Sequence, residues 1–363
     1  MKELSYKPKA ASVFRRLEEL FSRKAPDRIF ARCEVVSHAL DVFRETHAEG
    51  ECPFPDPADR IAFWDAVLAE KIGVEDDEIP SVYLTEMDQG LYAGLLGAEI
   101  RFLCDPGSGW ISSMAVPLLE AWEGFDALRI PGSHPWKDRY LDELETFTRH
   151  AEGKFGVSHF IVIDGLNFLF ELFGATRTYL SLHLEPERVT EAIDFAYDLA
   201  VLVQDRFFEI APLVEGGTCS NMMSWIPGGR IVSESVDPFH MTSVEDFERW
   251  GREPVERLFR HYDGGVVHLH ANGRHLVERV ATLEGLRGIT FFNDLGYVPS
   301  FDLVGEFRRR AGDVPIRVDA PYEDFLERLR RQDLPGGVLY NVREVPDSCA
   351  ANRLMDQVRD YRV

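Results

Sequence analysis

The chain has 363 residues, of which 45% are hydrophobic and 28% are charged, as is typical of a soluble globular protein. Its 62 acidic residues outnumber its 40 basic residues, and the resulting net charge of -22 repels nucleic-acid phosphates and anionic lipid. We therefore expect neither nucleic acid nor a membrane among its partners.

The cysteines are scattered along the chain, and none belongs to a C-x-x-C pair. They are Cys33, Cys52, Cys104, Cys219 and Cys349. This spacing predicts free thiols in a reducing compartment, rather than disulfides or a structural zinc knuckle. The first eight residues lack the apolar core of a signal peptide, and no window of about 18 apolar residues predicts a membrane span. We expect a cytoplasmic protein.

The first third of the chain alternates helices with loops rich in turn-forming residues. We predict helices over residues 12–23, 58–72 and 90–99, extended segments at 29–30 and 81–85, and loops at 51–57, 104–110 and 131–136. None of these segments carries an obvious catalytic group.

From residue 140 onward, strands alternate regularly with helices. The predicted strands are residues 158–164, 230–235, 265–270, 288–293, 314–318 and 336–341. The predicted helices are residues 140–151, 167–173, 186–208, 243–262, 274–281, 301–310, 322–331 and 350–361.

This alternation predicts an α/β fold with a parallel sheet, and its regularity favours a closed (β/α)8 TIM barrel with an N-terminal helical elaboration. We find no internal repeat and no clear linker. Residues 1–363 are therefore predicted to form a single domain. In it, about residues 1–150 supply the elaboration and first barrel units, and about residues 151–363 supply the regular units and a closing helix.

The stretch 264–273 is predicted to be a buried strand that ends in a turn, and it carries two histidines. Residues at i and i+2 of a strand point to the same face, so His268 and His270 present their imidazoles side by side. This pair suits a metal ion or an anionic substrate. The alternative is that hydrogen bonds satisfy both rings in a polar barrel mouth.

Two imidazoles and one carboxylate can hold a divalent ion and leave one position open for chemistry. The active sites of such barrels lie where the strands end. Glu344, after the last predicted strand, is our third ligand candidate, and Cys349 is a softer alternative. The alternative for Glu344 is a solvated loop carboxylate.

Further polar residues close the predicted strands. Asp164 and Glu234 are candidates for a general acid or base, because a dry barrel mouth raises the pKa of a carboxyl group. The alternative is that they accept hydrogen bonds that anchor loops. Candidate substrate-binding residues are Asn293, Arg317, Asn341 and Arg343. The sequence contains no H-E-x-x-H or G-x-S-x-G motif, which argues against the commonest hydrolase mechanisms.

Several short motifs spread over nearly the whole chain resemble the uroporphyrinogen decarboxylase superfamily. They are Ala25-Pro26-Asp27-Arg28, Leu95-Leu96-Gly97-Ala98-Glu99, Asp164-Gly165-Leu166-Asn167, Phe173-Gly174, Glu234-Ser235, Met241-Thr242-Ser243, His268-Leu269-His270, Gly336-Gly337 and Asn352. The resemblance implies a (β/α)8 barrel with an N-terminal helical elaboration.

One branch of this superfamily contains zinc-dependent methyltransferases that move methyl groups between corrinoid proteins and thiols. Its strand reads His-x-Cys-Gly, and a later Cys completes the zinc site. His268 matches the first ligand, His270 replaces the Cys, and Glu344 falls where the later Cys would lie. The resemblance thus implies a divalent metal, zinc in that branch, with harder ligands here. It also implies a corrinoid protein as partner and a homodimer.

The other branch contains cofactor-free porphyrinogen decarboxylases. Their N-terminal motif, Arg-Gln-Ala-Gly-Arg-Tyr, lacks its arginine pair in the corresponding residues 32–38, and their histidine after the last strand is absent from residues 342–345.

Our first interpretation is therefore a metal-dependent, methyltransferase-like enzyme that acts on a small molecule. One alternative is metal-free decarboxylation, in which the two histidines with Arg317 or Arg343 bind carboxylates. Another is a non-catalytic barrel that binds a corrinoid or a tetrapyrrole.

Overall fold

The computed structural model describes residues 4–363, which fold into fourteen strands and fourteen α-helices. The strands are β1 Ile29–Val35, β2 Gly50–Cys52, β3 Ser81–Tyr83, β4 Ile100–Asp105, β5 Trp110–Ala115, β6 Gly156–Ser158, β7 Ile161–Val162, β8 Gly217–Ser220, β9 Ser224–Pro227, β10 Val232–Ser235, β11 Gly265–Leu269, β12 Leu286–Phe291, β13 Ile316–Pro321 and β14 Val338–Val345.

The helices are α1 Ala10–Phe21, α2 His38–Thr46, α3 Pro57–Ala69, α4 Gly90–Leu95, α5 Trp122–Ala127, α6 Pro135–Ala151, α7 Gly165–Leu184, α8 Pro186–Ile210, α9 Val244–Trp250, α10 Arg252–His261, α11 Val277–Val280, α12 Val304–Arg310, α13 Tyr322–Arg331 and α14 Ser348–Asp360. Helix α7 is interrupted at Gly174, whose φ of 74° is left-handed. Among residues 4–363, no helix has the length and apolar character needed to cross a bilayer.

A seven-stranded sheet forms the centre of the molecule, in the order β1-β14-β13-β12-β11-β10-β7, and all its strand pairs are parallel. Helices connect successive strands, and the main apolar core lies between sheet and helices. The predicted α/β fold with a parallel sheet is confirmed.

The predicted strand 158–164 is instead two short strands, because the chain changes partner within it. Strand β6 pairs with β3, whereas β7 pairs with β10. This switch joins the β3–β6 pair to the seven-stranded sheet. Within residues 4–363, however, no strand pairing links β3 to β1, so backbone ladders alone do not close the predicted barrel.

Two aspartate side chains stand where that ladder would run. Asp77 Oδ2 accepts a hydrogen bond from the Ala31 amide at 3.0 Å, and Asp76 Oδ2 accepts one from the Cys33 amide at 2.7 Å. Both aspartates are buried. Lys7 pairs with Asp76, and Arg16 Nε lies 2.6 Å from Asp77 Oδ1. Two cations from the segment around α1 therefore neutralise the two buried carboxylates beside β1.

The N-terminal elaboration is not purely helical, since β2, β4 and β5 form an antiparallel sheet. The predicted loop 104–110 contains the turn between β4 and β5. Phe102 and Cys104 are buried while Arg101 and Leu103 are exposed, so this strand has the period of two that a half-buried strand requires.

The hairpin of β8 and β9 packs against one face of the seven-stranded sheet, near the amino ends of its strands. We call this face the inner face. The hairpin residues Met222, Met223 and Ile226 form an apolar cluster with Val266 of β11. Val266 marks the inner face of β11, and the alternation of a strand puts His268 on that face too. The hairpin leaves the opposite, carboxyl ends of the strands to the polar residues described below.

The β1–β3 junction yields a testable prediction. The substitution Asp77→Ala leaves Arg16 without its carboxylate and the Ala31 amide without its acceptor. We expect the free energy of unfolding to fall by about 3–5 kcal/mol, as when one partner of a buried ion pair is removed. Urea titration followed by tryptophan fluorescence measures this change.

The matched control is Asp313→Ala, which removes the partner of Arg23 in an ion pair where the aspartate side chain is 69% exposed. Its expected cost is below about 1 kcal/mol. Equal costs for the two substitutions would contradict the stabilising role of Asp77 beside β1.

Candidate metal centre

His268 and His270 meet a carboxylate at the end of the parallel sheet. His268 lies in β11, and His270 follows this strand with an extended backbone, so the alternation of extended chain brings both rings to one face. The 3-10 turn Asp237–Met241, which begins two residues after β10, brings in Asp237. One ligand atom from each of the three residues lies within 4.8 Å of the others. His268 Nε2 is 3.0 Å, and His270 Nε2 is 3.9 Å, from the Asp237 carboxylate.

The three side chains differ in exposure. That of His268 is 2% exposed, whereas those of His270 and Asp237 are 35% and 39% exposed. Burial acts to raise the pKa of Asp237, but His268 and two further rings outweigh it and hold that pKa below its usual range. The cluster thus has an ionised carboxylate, one buried face and one open face.

This donor set fits a divalent ion. Two imidazole nitrogens and one carboxylate oxygen are ligands of catalytic zinc and of ferrous sites that keep positions open. His268 in β11, His270 just after β11 and Asp237 just after the neighbouring strand β10 also converge without a left-handed backbone at any of these positions. The residues present are therefore suited to hold such an ion.

A third imidazole packs against the same carboxylate. His240 Nδ1 lies 3.5 Å from Asp237 Oδ1, and its side chain is 2% exposed. Burial lowers the pKa of His240 to about 4, so the ring is neutral near pH 7. A Cβ atom at position 273 would lie 2.1 Å from this ring, which explains why a glycine, Gly273, faces it.

His270 also contacts a second carboxylate, on the side of its ring away from Asp237. Its Nδ1 lies 2.9 Å from Asp294 Oδ1, and the other oxygen of Asp294 accepts a hydrogen bond from the Ala271 amide at 2.6 Å. Burial acts to raise the pKa of Asp294, but these two contacts outweigh it, and the pKa is lowered.

Phe292 connects the histidines to the predicted substrate-binding residues. Its ring centroid lies 5.4 Å from that of His268, 5.5 Å from that of His270 and 5.6 Å from the guanidinium carbon of Arg317. The register pairs His268 with Thr290, and Thr290 with Arg317, so these side chains share the inner face of the sheet.

Arg317, Asn341 and Arg343 belong to one polar network with Asp319 and Glu34. Arg317 Nη2 and Asn341 Nδ2 donate to Asp319 Oδ1 at 2.7 and 2.8 Å. Asn341 Nδ2 also donates to Glu34 at 2.8 Å, and Arg343 Nε lies 3.3 Å from Glu34. Three of the four predicted substrate-binding residues therefore lie together. Asn293 instead accepts a hydrogen bond from the Ser300 amide within its own loop.

The two third-ligand candidates lie outside the cluster. Glu344 is exposed and has a left-handed φ of 61° at the irregular end of β14, and Cys349 is exposed near the start of α14. Neither belongs to the group of ligand atoms that the structure brings together within residues 4–363. The carboxylate that lies within 4 Å of both histidines is Asp237, so the structure does not bring Glu344 or Cys349 to the histidine pair as we expected.

The general acid or base candidates lie on the other face of the sheet. Ser235 is paired with His268, so Glu234 points away from the inner face. It lines a small pocket between sheet and helices, together with Asp164, Phe239 and Trp250. This geometry does not support a proton-transfer role for Asp164 or Glu234 at the histidines.

Asp237 and His240 are not among the residues predicted from the sequence to form the site. A signal for Asp237 existed, since it lies two residues after β10 and strand ends carry such sites. The sequence contains no comparable signal for His240, because its position depends on the 3-10 turn.

We expect the buried carboxyl groups of Asp164 and Glu234 to make the stability of the protein depend on pH. Burial raises the pKa of Asp164 to about 6 and that of Glu234 well above its usual range. The folded chain then keeps protons that the unfolded chain releases, so the free energy of unfolding falls as pH rises from about 4 through about 6. We expect Glu234→Gln to flatten this fall and to stabilise the protein at pH 7.5 by about 1–3 kcal/mol.

Urea titrations across this pH range measure the effect. The control is Glu245→Gln, which removes an exposed carboxylate on α9 and should leave the profile close to that of the original protein. If Glu234→Gln and the original protein give parallel profiles, the buried carboxyl does not carry the predicted proton.

No protein-family model matches the sequence, and no curated protein matches it. Among solved structures, the chain is similar to a methyltransferase from Methanosarcina mazei, with a TM-score of 0.59 and 11% sequence identity. The likeness covers 99% of each chain. At this identity it establishes a shared fold: the chain has the fold of that methyltransferase along nearly its whole length.

Proposed function

We propose that the protein is a metal-dependent methyltransferase-like enzyme, a divergent member of the uroporphyrinogen decarboxylase superfamily that forms one (β/α)8 catalytic domain. Asp237, His268 and His270 hold its divalent ion, for which zinc is our first candidate. The substrates are a small nucleophile, a thiol or an alcohol, and a methyl donor of the corrinoid type. The corrinoid protein and the homodimer implied by the resemblance stay predictions.

The observation that carries this proposal is the convergence of one carboxylate and two imidazoles at the carboxyl ends of parallel strands. Strand ends are the usual position of active sites in folds of this kind. The open side of the cluster, where His270 and Asp237 are partly exposed, leaves room for a substrate atom. The shared fold with a methyltransferase agrees with this interpretation.

A bound divalent ion supplies Lewis acidity that lowers the pKa of a thiol or hydroxyl nucleophile. A corrinoid donor would supply the methyl group as an electrophile and would keep the electron pair of the bond that it gives up. The thiol or alcohol would supply the electron pair of the new bond to the methyl carbon and would lose its proton to solvent. The chain's own part is to hold the reactants and to exclude water, for which Phe292 and the buried face of His268 are suited.

The arginines near the cluster bear on the decarboxylase alternative. Arg32, Arg317 and Arg343 each have a carboxylate within 4 Å, at distances of 3.5, 2.7 and 3.3 Å. Because these cations are already compensated, the inner face offers no excess of positive charge for a substrate with many carboxylates. No observation therefore favours decarboxylation over methyl transfer.

Metal content gives the first test. Tag-free protein should contain about one zinc or iron ion per chain by elemental analysis, as a three-ligand catalytic site would hold. We expect the double variant His268→Ala/His270→Ala to contain none, and Asp237→Asn to lose most of it, because the amide oxygen carries no charge.

The matched control is His275→Ala, since His275 lies at the same end of the sheet and its ring nitrogens contact the carbonyls of Asn272 and Thr242 rather than a carboxylate within residues 4–363. It should keep the ion. Protein without metal, which also takes up none on reconstitution, would overturn the proposal and favour decarboxylation or simple binding of a tetrapyrrole.

Methyl transfer is tested directly with methylcobalamin as donor and 2-mercaptoethanol as acceptor. Loss of the methyl–cobalt absorbance, together with the thioether seen by mass spectrometry, reports the reaction. The histidine double variant should fall to the uncatalysed rate. A rate that is the same with and without the ion would contradict the role given to the metal.

A further inference from the structure

We propose that Asp294 is a positioning residue that fixes the tautomer and orientation of His270 and thereby directs its Nε2 atom to the metal centre. The inference rests on the proposed function, since it concerns the same three ligands. It assigns a role to a carboxylate that touches neither of the other two ligands by any hydrogen bond or ion pair within residues 4–363.

Both oxygens of Asp294 have defined donors. Oδ1 lies 2.9 Å from His270 Nδ1, and Oδ2 accepts from the Ala271 amide at 2.6 Å. The Ala271 amide, next to His270 in the chain, thus fixes the position of the Asp294 carboxylate. Asp294 itself lies shortly after the end of strand β12. Because His270 and Ala271 are adjacent in the chain, the two contacts together hold the Asp294 carboxylate against the end of β11.

The chemistry of this contact selects one tautomer. An ionised carboxylate only accepts hydrogen bonds, so the proton of a neutral His270 ring must lie on Nδ1. The lone pair is then on Nε2, which is the nitrogen that faces Asp237, at 3.9 Å. Ligating histidines generally have such a carboxylate or carbonyl partner on the other ring nitrogen.

His270 needs this partner more than His268 does. The His268 side chain is only 2% exposed and is held by packing, and its Nδ1 is buried without a hydrogen-bond partner within residues 4–363. The His270 side chain is 35% exposed, so packing alone leaves its ring free to turn. The two ligands are therefore oriented by different means, and Asp294 acts on the exposed one.

The first test reads the tautomer in metal-free protein. Long-range proton–nitrogen NMR of protein labelled at histidine nitrogens, at pH 8, distinguishes Nδ1–H from Nε2–H rings, and the His270→Gln variant assigns the signals. We expect His270 to be protonated on Nδ1 in the original protein and to lose that preference in Asp294→Ala. Circular dichroism checks that the variant is folded.

The second test measures metal affinity by competition of Zn²⁺ with a chelator, and ligand geometry by the absorption spectrum of the Co²⁺-loaded protein. We expect Asp294→Asn and Asp294→Ala to bind 10–100-fold more weakly, which is the range for loss of such a partner, and to alter the Co²⁺ spectrum. Asp294→Glu should recover part of the affinity.

The matched control is Asp302→Asn, which removes an exposed carboxylate from the same β12–α12 connection. It should match the original protein in affinity, spectrum and tautomer. An Nε2–H ring at His270 in the original protein, or an unchanged ring in Asp294→Ala, overturns the role of Asp294. If the tautomer shifts as expected but no form of the protein binds metal, the positioning stands and the proposed metal function fails.

Discussion

Two buried aspartates hold strand β1 on the side where, within residues 4–363, it pairs with no other strand. Burying a carboxylate costs several kcal/mol unless it is paired and hydrogen-bonded, and Asp76 and Asp77 obtain both conditions from β1 amides and from Lys7 and Arg16. Strand β1 in turn fixes Arg32 opposite Asn341, and Glu34 near it. The geometry of the inner face thus depends on contacts made by the N-terminal segment.

A carboxylate also organises the cluster of histidines at the carboxyl ends of the strands. Asp237 is the common neighbour of His268, His270 and His240, so one carboxylate holds three imidazoles around it. A turn of only five residues, Asp237–Met241, holds both the carboxylate and His240, while Gly273 leaves the space for the His240 ring. The site is therefore assembled from short segments directly after β10 and β11, and long loops are not required to form it.

The regular units of the fold could be predicted because buried parallel strands appear in the sequence as short apolar runs bounded by turn residues, as in β11. Because such a strand is apolar along its whole length, its sequence does not show which face of the sheet a given residue occupies. All four residues of β10 are buried, so no alternation tells whether Ser233 or Glu234 points inward.

The convergence of the two histidines could still be predicted, because residues two positions apart in a strand share a face, whichever face that is. The carboxylate did not, because the position of Asp237 is set by a turn rather than by a period. The β4–β5 hairpin was missed for another reason. Its turn residues were recognised, but the alternation of the flanking strands was not.

The proposed ligand set differs in charge, as well as in softness, from the histidine and two thiolates of the methyltransferase branch that the sequence resembles. A histidine and two thiolates neutralise a divalent ion, whereas Asp237 with two neutral imidazoles leaves one positive charge uncompensated. Arg32, Arg317 and Arg343 are each paired with a carboxylate, so a bound ion would add a positive charge that its own ligands do not balance. An anionic nucleophile would then be drawn to the ion itself rather than to a guanidinium, and its reacting atom would lie where the cluster is open.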